Sequence, residues 1–266
     1  YLRALTDPTV RSQLEQMLLS WINNDRLRRE VGNKERFMHV LLFNKATIAL
    51  EMFHDSFDWP KEQNKKLSDW LDRRSVEMFP SDTSPLSKKC PKNHKSNNFK
   101  VYQACQNGGI LRAQALLRVG IWNSDPEFIE MAYFAFHRYM SGIRKDGSNI
   151  TDARRGCTAA NYNIWASQFM SDFLFHWDRI SDPLWGKTFH TNVTPNKAVE
   201  YSLSLFGNFE EINKHTILDQ WRGCGEDQKN MTQQASSQNG ERWYPRISYA
   251  PYFDNKGNFF CLLYTS

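Results

Sequence analysis

Runs of apolar residues at helical spacing are the feature that most restricts how this chain can fold. The first run follows Asp7 and Pro8, a typical helix start in which a capping residue precedes a proline at the first helical position. Apolar side chains then recur every three or four residues, at Val10, Leu14, Met17, Leu18, Trp21 and Ile22. Because the alternation typical of strands is almost absent from the chain, the sequence predicts an all-α protein.

The same spacing predicts six further helices along the 266 residues. Their approximate ranges are 35–57, 60–78, 97–121, 124–143, 155–177 and 196–205. Loops are expected at 80–96 and 223–239, and the last ten or so residues are expected to form a strand or a tail. Helices of about 18 to 24 residues joined by short turns are typical of antiparallel helical hairpins. We therefore expect one domain over residues 1–266, with hairpins packed in a ring or a stack.

Charge and composition restrict the partners of such a domain. The net charge is +5, and a mildly basic surface favours an anionic ligand such as a uronic-acid polymer, a nucleic acid or a membrane surface. The Lys and Arg residues are scattered and do not form one tract, which argues against a nucleic acid. No apolar stretch is long enough to cross a membrane and no signal peptide is visible, so we expect a mature or trimmed form.

The cysteines do not suggest a metal site. The chain has five, at Cys90, Cys105, Cys157, Cys224 and Cys261. They show no CxxC pair and no zinc spacing, but they allow one or two disulfides. The redox compartment therefore stays open at this point.

The segment DARRGCTAANYNIWA, residues 152–166, combines a cationic pair with a phenol. Arg155 and Tyr162 are seven residues apart, so on a helix they project from one face, with Arg154 and Asn161 beside them. Nearby guanidinium groups stabilise a phenolate, which is the form that acts as a general base. An ordinary surface helix with solvated arginines and a half-buried tyrosine is the other interpretation of this pattern.

A second segment, KNHKSNNFKVYQA at residues 92–104, places polar donors where the fourth helix is expected to start. Asn97 and Asn98 are good N-cap residues, which explains one of them without any function. Two amides preceded by His94 and Lys95 also offer hydrogen-bond donors to a carboxylate. Both interpretations stay open on the residues alone.

Together with MAYFAFHRYMSGIRKDG, residues 131–147, these two segments resemble the alginate lyase group of polysaccharide lyases, family 5 and its relatives. In that group an Asn-Asn-His run opens a helix, a later helix ends in an Asp-Gly turn, and an arginine precedes a catalytic tyrosine by seven residues. The segment ERWYPRISYAPYF, residues 241–253, is also similar to the aromatic closing segment of those domains. The resemblance covers residues 95–170 and 240–253 and implies an (α/α) toroid, an incomplete barrel of antiparallel helical hairpins.

Carried over to this chain, the resemblance implies β-elimination on a uronic-acid polymer. Tyr162 matches the catalytic tyrosine, Arg155 the arginine beside it, and Asn98 the second asparagine of the run. Asn98, with His94, would hydrogen-bond the sugar carboxylate so that charge can build on it, while Tyr162 takes the C5 proton. No metal and no organic cofactor is needed for this reaction. Asn97, Arg154 and Lys95 are the further candidates for substrate binding, and Lys88, Lys89 and Lys95 are candidates for a lid.

One position departs from the family pattern. Phe99 stands where the family has a histidine, so that role would pass to His94 or to His137 on the fifth helix. The distance from the asparagine pair to the tyrosine also looks longer than in the family, which indicates an insertion near Gly108 and Gly109.

Two other function classes remain open on the sequence. An inverting glycoside hydrolase needs two carboxylates about 6.5 to 9.5 Å apart, for which Asp146, Asp152 and Asp172 are candidates. A catalytically inactive carbohydrate-binding relative of the lyases is the other class. For a lyase we expect a secreted or periplasmic monomer that acts on an anionic polysaccharide, without a nucleic-acid or membrane partner.

Overall fold

The computed structural model describes residues 7–28, 33–78, 105–152, 159–190 and 192–205, and the backbone of 251–253 and 259–261. The described part contains seven α-helices: α1 Pro8–Asn23, α2 Asn33–Phe53, α3 Lys61–Met78, α4 Asn107–Asn123, α5 Pro126–Met140, α6 Ala159–Trp177 and α7 Pro195–Ser204. A 3-10 turn, His54–Ser56, follows α2, and two three-residue strands, β1 Pro251–Phe253 and β2 Phe259–Cys261, pair antiparallel. The prediction of an all-α protein is confirmed. The hairpin of β1 and β2 is the one described element that is not helical. None of the described helices is both long enough and apolar enough to cross a membrane.

The chain divides into two compact units. The first consists of Tyr1–Thr83 and Ala115–Ala132, and the second of Ser84–Gln114 and Tyr133–Ser266. Each is described by itself below. The interpretation of residues 1–266 as one domain stays a prediction.

The core of the first unit is built by α1, α2 and α3. Asp7 caps α1 as predicted, because its Oδ1 accepts hydrogen bonds from the backbone N–H of Thr9 at 2.9 Å and of Val10 at 3.4 Å. Trp70 of α3 is fully buried with its ring 5.6 Å from that of Phe43 on α2. These large apolar side chains hold α2 and α3 together.

The same unit holds the end of α4 against the start of α5. Asp125 caps α5 by accepting from the N–H of Glu127 at 2.8 Å and of Phe128 at 3.3 Å. The two helices approach closely at Gly120, where an added Cβ would lie 2.8 Å from Cγ1 of Ile129. The start predicted for the fifth helix, near residue 124, is therefore confirmed.

In the second unit, α6 packs on α5 and α7. Phe136 of α5 stacks on Phe173 of α6 with ring centroids 4.5 Å apart and planes 4° from parallel. On the other side of α6, the Ser167 hydroxyl donates to the Ser202 hydroxyl of α7 at 2.5 Å. Strand β1 lies beside α6 as well. These contacts fix α6, the helix that carries Tyr162.

The main departure from the predicted helices is at the start of α4. A continuous helix over 97–121 is wrong, because residues 105–106 form a turn and the described helix begins at Asn107. The carbonyl oxygen of Cys105 accepts from the side chain of Asn149 at 2.9 Å, and Gly109 N–H donates to Gln106 O at 2.7 Å. These bonds replace helical ones at that point. The predicted loops at 80–96 and 223–239 lie outside the described residues.

Candidate functional site

Tyr162 lies in the first turn of α6 and is half-buried. The ring of Trp165, three residues later, meets it edge to face, with centroids 6.2 Å apart and planes at 83°. Side chains three residues apart on a helix are neighbours, so Trp165 fixes one side of the phenol ring. A half-buried phenol held in this way can still meet a ligand.

The residue after Tyr162 anchors this helix end to the turn that precedes it. Asn163 is 3% exposed, and its Oδ1 accepts a hydrogen bond from Asn149 N–H at 3.2 Å. The backbone oxygen of Asn163 lies 3.1 Å from the Ser202 hydroxyl of α7. Both bonds are buried, where the loss of a partner is most costly. The direction in which α6 presents Tyr162 is therefore set from two sides.

Asn149 is the centre of the buried network. Its Nδ2 donates to Cys105 O at 2.9 Å, just before α4. Its Oδ1 accepts from the backbone N–H of Thr151 at 2.7 Å and of Asp152 at 3.0 Å. The side chain and the backbone N–H of this residue, which is 1% exposed, therefore together join the start of α4, the turn after α5 and the beginning of α6. It brings residue 105 within two hydrogen bonds of the neighbour of Tyr162.

The Asp-Gly turn that the resemblance implies after the fifth helix is present at residues 145–147, and it lies against α7. The Oδ1 of Asp146 accepts from the Ser148 N–H at 2.9 Å and from its hydroxyl at 2.6 Å. Gly147 has a φ of +94°, which only glycine adopts readily. An added Cβ there would lie 2.4 Å from Lys197 O of α7. The turn requires glycine for both reasons.

A second tyrosine near this network differs from Tyr162. Tyr139, at the end of α5, is 2% exposed, and burial raises the pKa of its phenol well above the usual value. The charge of Asp152 raises this pKa further, while a hydrogen bond with Asn149 opposes the shift. Tyr139 therefore stays neutral and out of reach of a ligand, whereas Tyr162 is partly open.

The other predicted site residues lie outside the described residues. They are His94, Lys95, Asn97, Asn98, Arg154 and Arg155, together with Phe99 and the two lysines of the proposed lid, Lys88 and Lys89. Their assignment to the site of Tyr162 stays a prediction.

His137, the other candidate for the missing histidine, is described and lies well away from Tyr162. The residue before it, Phe136, stacks on Phe173, which is about 16 Å along α6 from Tyr162. The ring of His137 contacts those of Phe189 and His190, at 5.6 and 4.4 Å between centroids. This position argues against His137 as a partner of the phenol.

Each of the three carboxylates named as candidates for a hydrolase is either buried or bound to neighbouring side chains or backbone. Asp146 holds the turn described above, and Asp152 is 0% exposed, so a sugar cannot reach it. Asp172 accepts from the side-chain amide of Gln114 and lies 3.8 Å from Nε2 of His176. The surroundings of these carboxylates do not favour a hydrolytic pair.

Two further observations concern metals and cysteines. Among the residues that the structure describes, no three His, Cys, Asp or Glu side chains come together as a metal site. Cys105 is disulfide-bonded, and its side chain is fully buried.

Sequence reasoning missed Asn149, Asn163 and Tyr139. Asn149 bonds to a residue 44 positions earlier in the chain and to another 14 positions later. No local pattern indicates such contacts. The one available signal was the presence of Asn residues in a turn and in a helix start, where these residue types commonly hydrogen-bond the backbone.

The fold is similar to solved structures of alginate lyase A1-III. One, from Sphingomonas species A1, has a TM-score of 0.62 and 18% identity, and the match covers 92% of this chain and 66% of that one. A His-to-Ala variant complexed with a tetrasaccharide gives 0.65 and 16%, with 92% and 68% covered. A Tyr-to-Phe variant complexed with a tetrasaccharide gives 0.61 and 17%, with 76% and 53% covered.

This chain thus spans about half to two thirds of the length of those structures. No protein-family model matches the chain, and neither does any curated protein sequence. At this identity the likeness establishes the fold: the chain has an alginate-lyase-like, all-α fold of the α/α toroid type.

Proposed function

We propose that this protein is a polysaccharide lyase that cleaves a uronic-acid polymer by β-elimination, with Tyr162 as the acid and base. The polymer is of the alginate, polymannuronate or glucuronan type. The observation that carries the proposal is the position of Tyr162: a half-buried phenol in the first turn of a fixed helix, in an alginate-lyase-like fold. The complexes of alginate lyase A1-III with a tetrasaccharide support a saccharide as the ligand.

The proposed reaction needs one residue for two proton transfers. Tyr162, as phenolate, takes the proton from C5 of the uronate, and negative charge develops on the adjacent carboxylate. The C4–O4 bond then breaks, a C4–C5 double bond forms, and the phenol returns its proton to the departing O4. Where the C5 hydrogen and O4 lie on one side of the sugar ring, a single phenol reaches both.

The remaining roles are assigned to residues outside the described part of the chain, and their position near Tyr162 is part of the proposal. Arg155 stabilises the phenolate, and Asn98 with His94 hydrogen-bonds the sugar carboxylate, which lowers the barrier to enolate formation. Asn97, Arg154 and Lys95 bind neighbouring sugar units. The bond from Asn149 to Cys105 supports this assignment, because it brings the chain just after the asparagine pair close to the helix of Tyr162.

The proposed reaction uses no metal and no organic cofactor. We propose a monomer as the active form. It also places the protein outside the cytoplasm, as a secreted or periplasmic enzyme. The disulfide at Cys105 supports this location, because disulfides persist in oxidising compartments and are rare in the cytosol.

An activity screen on polymannuronate, polyguluronate and polyglucuronate tests the function. A lyase produces a conjugated unsaturated uronate that absorbs in the ultraviolet, and this absorbance should rise with at least one polymer. New reducing ends without that absorbance would show a hydrolase and refute the proposal. Binding of a polymer with neither product would show an inactive carbohydrate-binding relative and refute it as well.

A further inference from the structure

A cluster of cationic and aromatic side chains lies at the other end of α6 from Tyr162. It consists of Tyr133, His137, Trp177, Lys187 and His190, which we call the cationic aromatic patch. Trp177 is fifteen residues after Tyr162, or about 22 Å along the helix. The patch is therefore separate from the site of the proposed reaction.

The aromatic part of the patch is held rigidly. The rings of Tyr133 and Trp177 lie 5.0 Å apart with planes 30° from parallel. Phe173 stacks on Trp177 from the core side at 5.9 Å, and the indole N–H donates to Asp182 O at 3.2 Å. Tyr133 and Trp177 are both half-buried, so part of each ring remains on the surface.

The cationic part lies directly beside these rings. Lys187 is exposed, with its Nζ 3.5 Å from the Tyr133 hydroxyl and 5.8 Å from the centre of that ring. His190 is exposed too, and its ring meets that of His137 edge to face, 4.4 Å between centroids. Within the described part of the chain, no carboxylate forms an ion pair with Lys187, His137 or His190.

The neighbouring side chains that shift the pKa of His137 are basic ones. Burial lowers the pKa of His137, and the charges of His190 and Lys187 lower it further. The groups that act on this imidazole are thus cationic, and a bound anion would relieve their mutual repulsion. Such a surface is complementary to a ligand that has both a flat apolar face and a negative charge.

We propose that the cationic aromatic patch is a second saccharide-binding site, which takes a carboxylated sugar unit. The C–H face of the sugar ring packs on Tyr133 and Trp177, and its carboxylate binds Lys187 and His190. A neutral sugar would make the first contact without the second. The carboxylated sugar follows from the side chains of the patch. That this sugar is part of a polyuronate rests on the proposed function. A chain held here, away from the reacting bond, would keep the protein on its polymer.

The test uses the full chain with Tyr162→Phe, so that the ligand is not consumed. A mannuronate tetrasaccharide is titrated at pH 6 while the imidazole NMR signals of His137 and His190 are followed, each assigned by its own His→Gln variant. We expect both signals to move, and the affinity reported by His137 to fall about fivefold or more in Lys187→Ala/His190→Ala. Both substituted side chains are exposed, so this variant should fold normally. Lys65→Ala, an exposed lysine on α3, is the control and should bind as before.

Unmoved imidazole signals would overturn the inference. Equal shifts with a neutral mannose tetrasaccharide, or unchanged affinity in the double variant, would overturn it too. The outcome is separable from the proposed function, which is measured as unsaturated product with Tyr162 intact. If the chain has no lyase activity but its imidazole signals respond to the uronate, the proposed function is refuted and this inference stands. If the chain is an active lyase but its imidazole signals do not respond, only this inference is refuted.

Discussion

The buried amide of Asn149 gives a quantitative test of how the site is held. Replacement by alanine removes the acceptor for the N–H groups of Thr151 and Asp152 and the donor to Cys105 O. It also removes the hydrogen bond to the Tyr139 side chain. Three buried backbone groups lose a partner, at about 1 kcal/mol each, so Asn149→Ala should cost about 3 kcal/mol. This is a large part of the 5 to 15 kcal/mol by which domains are typically stable.

Equilibrium denaturation by urea, followed by circular dichroism, measures this loss. The control is Asn24→Ala, which also removes a side-chain bond to a backbone carbonyl, Ser20 O at 2.8 Å, but at an exposed position. We expect the control to cost less than about 0.5 kcal/mol. If Asn149→Ala costs no more than Asn24→Ala, the network does not hold the site and the reasoning is refuted.

Three further predictions concern the turn, a histidine and the disulfide. Gly147→Ala should lower the melting temperature, because the added Cβ would clash with Lys197 O. The control is Gly186→Ala, which should not lower it, since the space around the added Cβ is open. Equal melting temperatures of the two variants would contradict this prediction. The pKa of His137 is lowered in the folded state, so stability should fall as the pH drops through the unfolded value of 6.5. His137→Gln should flatten that slope in urea titrations at several pH values, and an unchanged slope would count against it. Since Cys105 is disulfide-bonded, a thiol reagent should label at most three of the five cysteines (5 − 2 = 3) in the denatured, unreduced chain, and labelling of four or five would exclude the disulfide.

Helix starts could be predicted from the sequence because their causes are local. Asp7 and Asp125 each cap a helix with hydrogen bonds to N–H groups two and three residues ahead. Apolar periodicity likewise identified all seven described helices. Their ends were less predictable: α5 stops at Met140 and not near 143, because Gly142 and Ile143 N–H donate to carbonyls three residues back.

The site was predictable only where its pattern is local. The sequence indicates Tyr162 as a helical phenol because the signal is a spacing within one segment. The buried contacts of Asn149 could not be predicted, since they join residues that meet only after the chain folds. The cationic aromatic patch was missed for the same reason: Lys187 and His190 stand in an irregular segment and reach α5 through tertiary packing.

The central claim is that the phenol of Tyr162 transfers the protons of a β-elimination. Its most direct test is the initial rate of unsaturated product from the preferred polyuronate, for Tyr162→Phe and for the matched control Tyr201→Phe, whose side chain is buried in α7. Loss of a general acid and base should slow the reaction by about 100-fold to 10,000-fold in Tyr162→Phe and leave Tyr201→Phe near the native rate. A Tyr162→Phe protein that works as fast as the native chain would contradict the account.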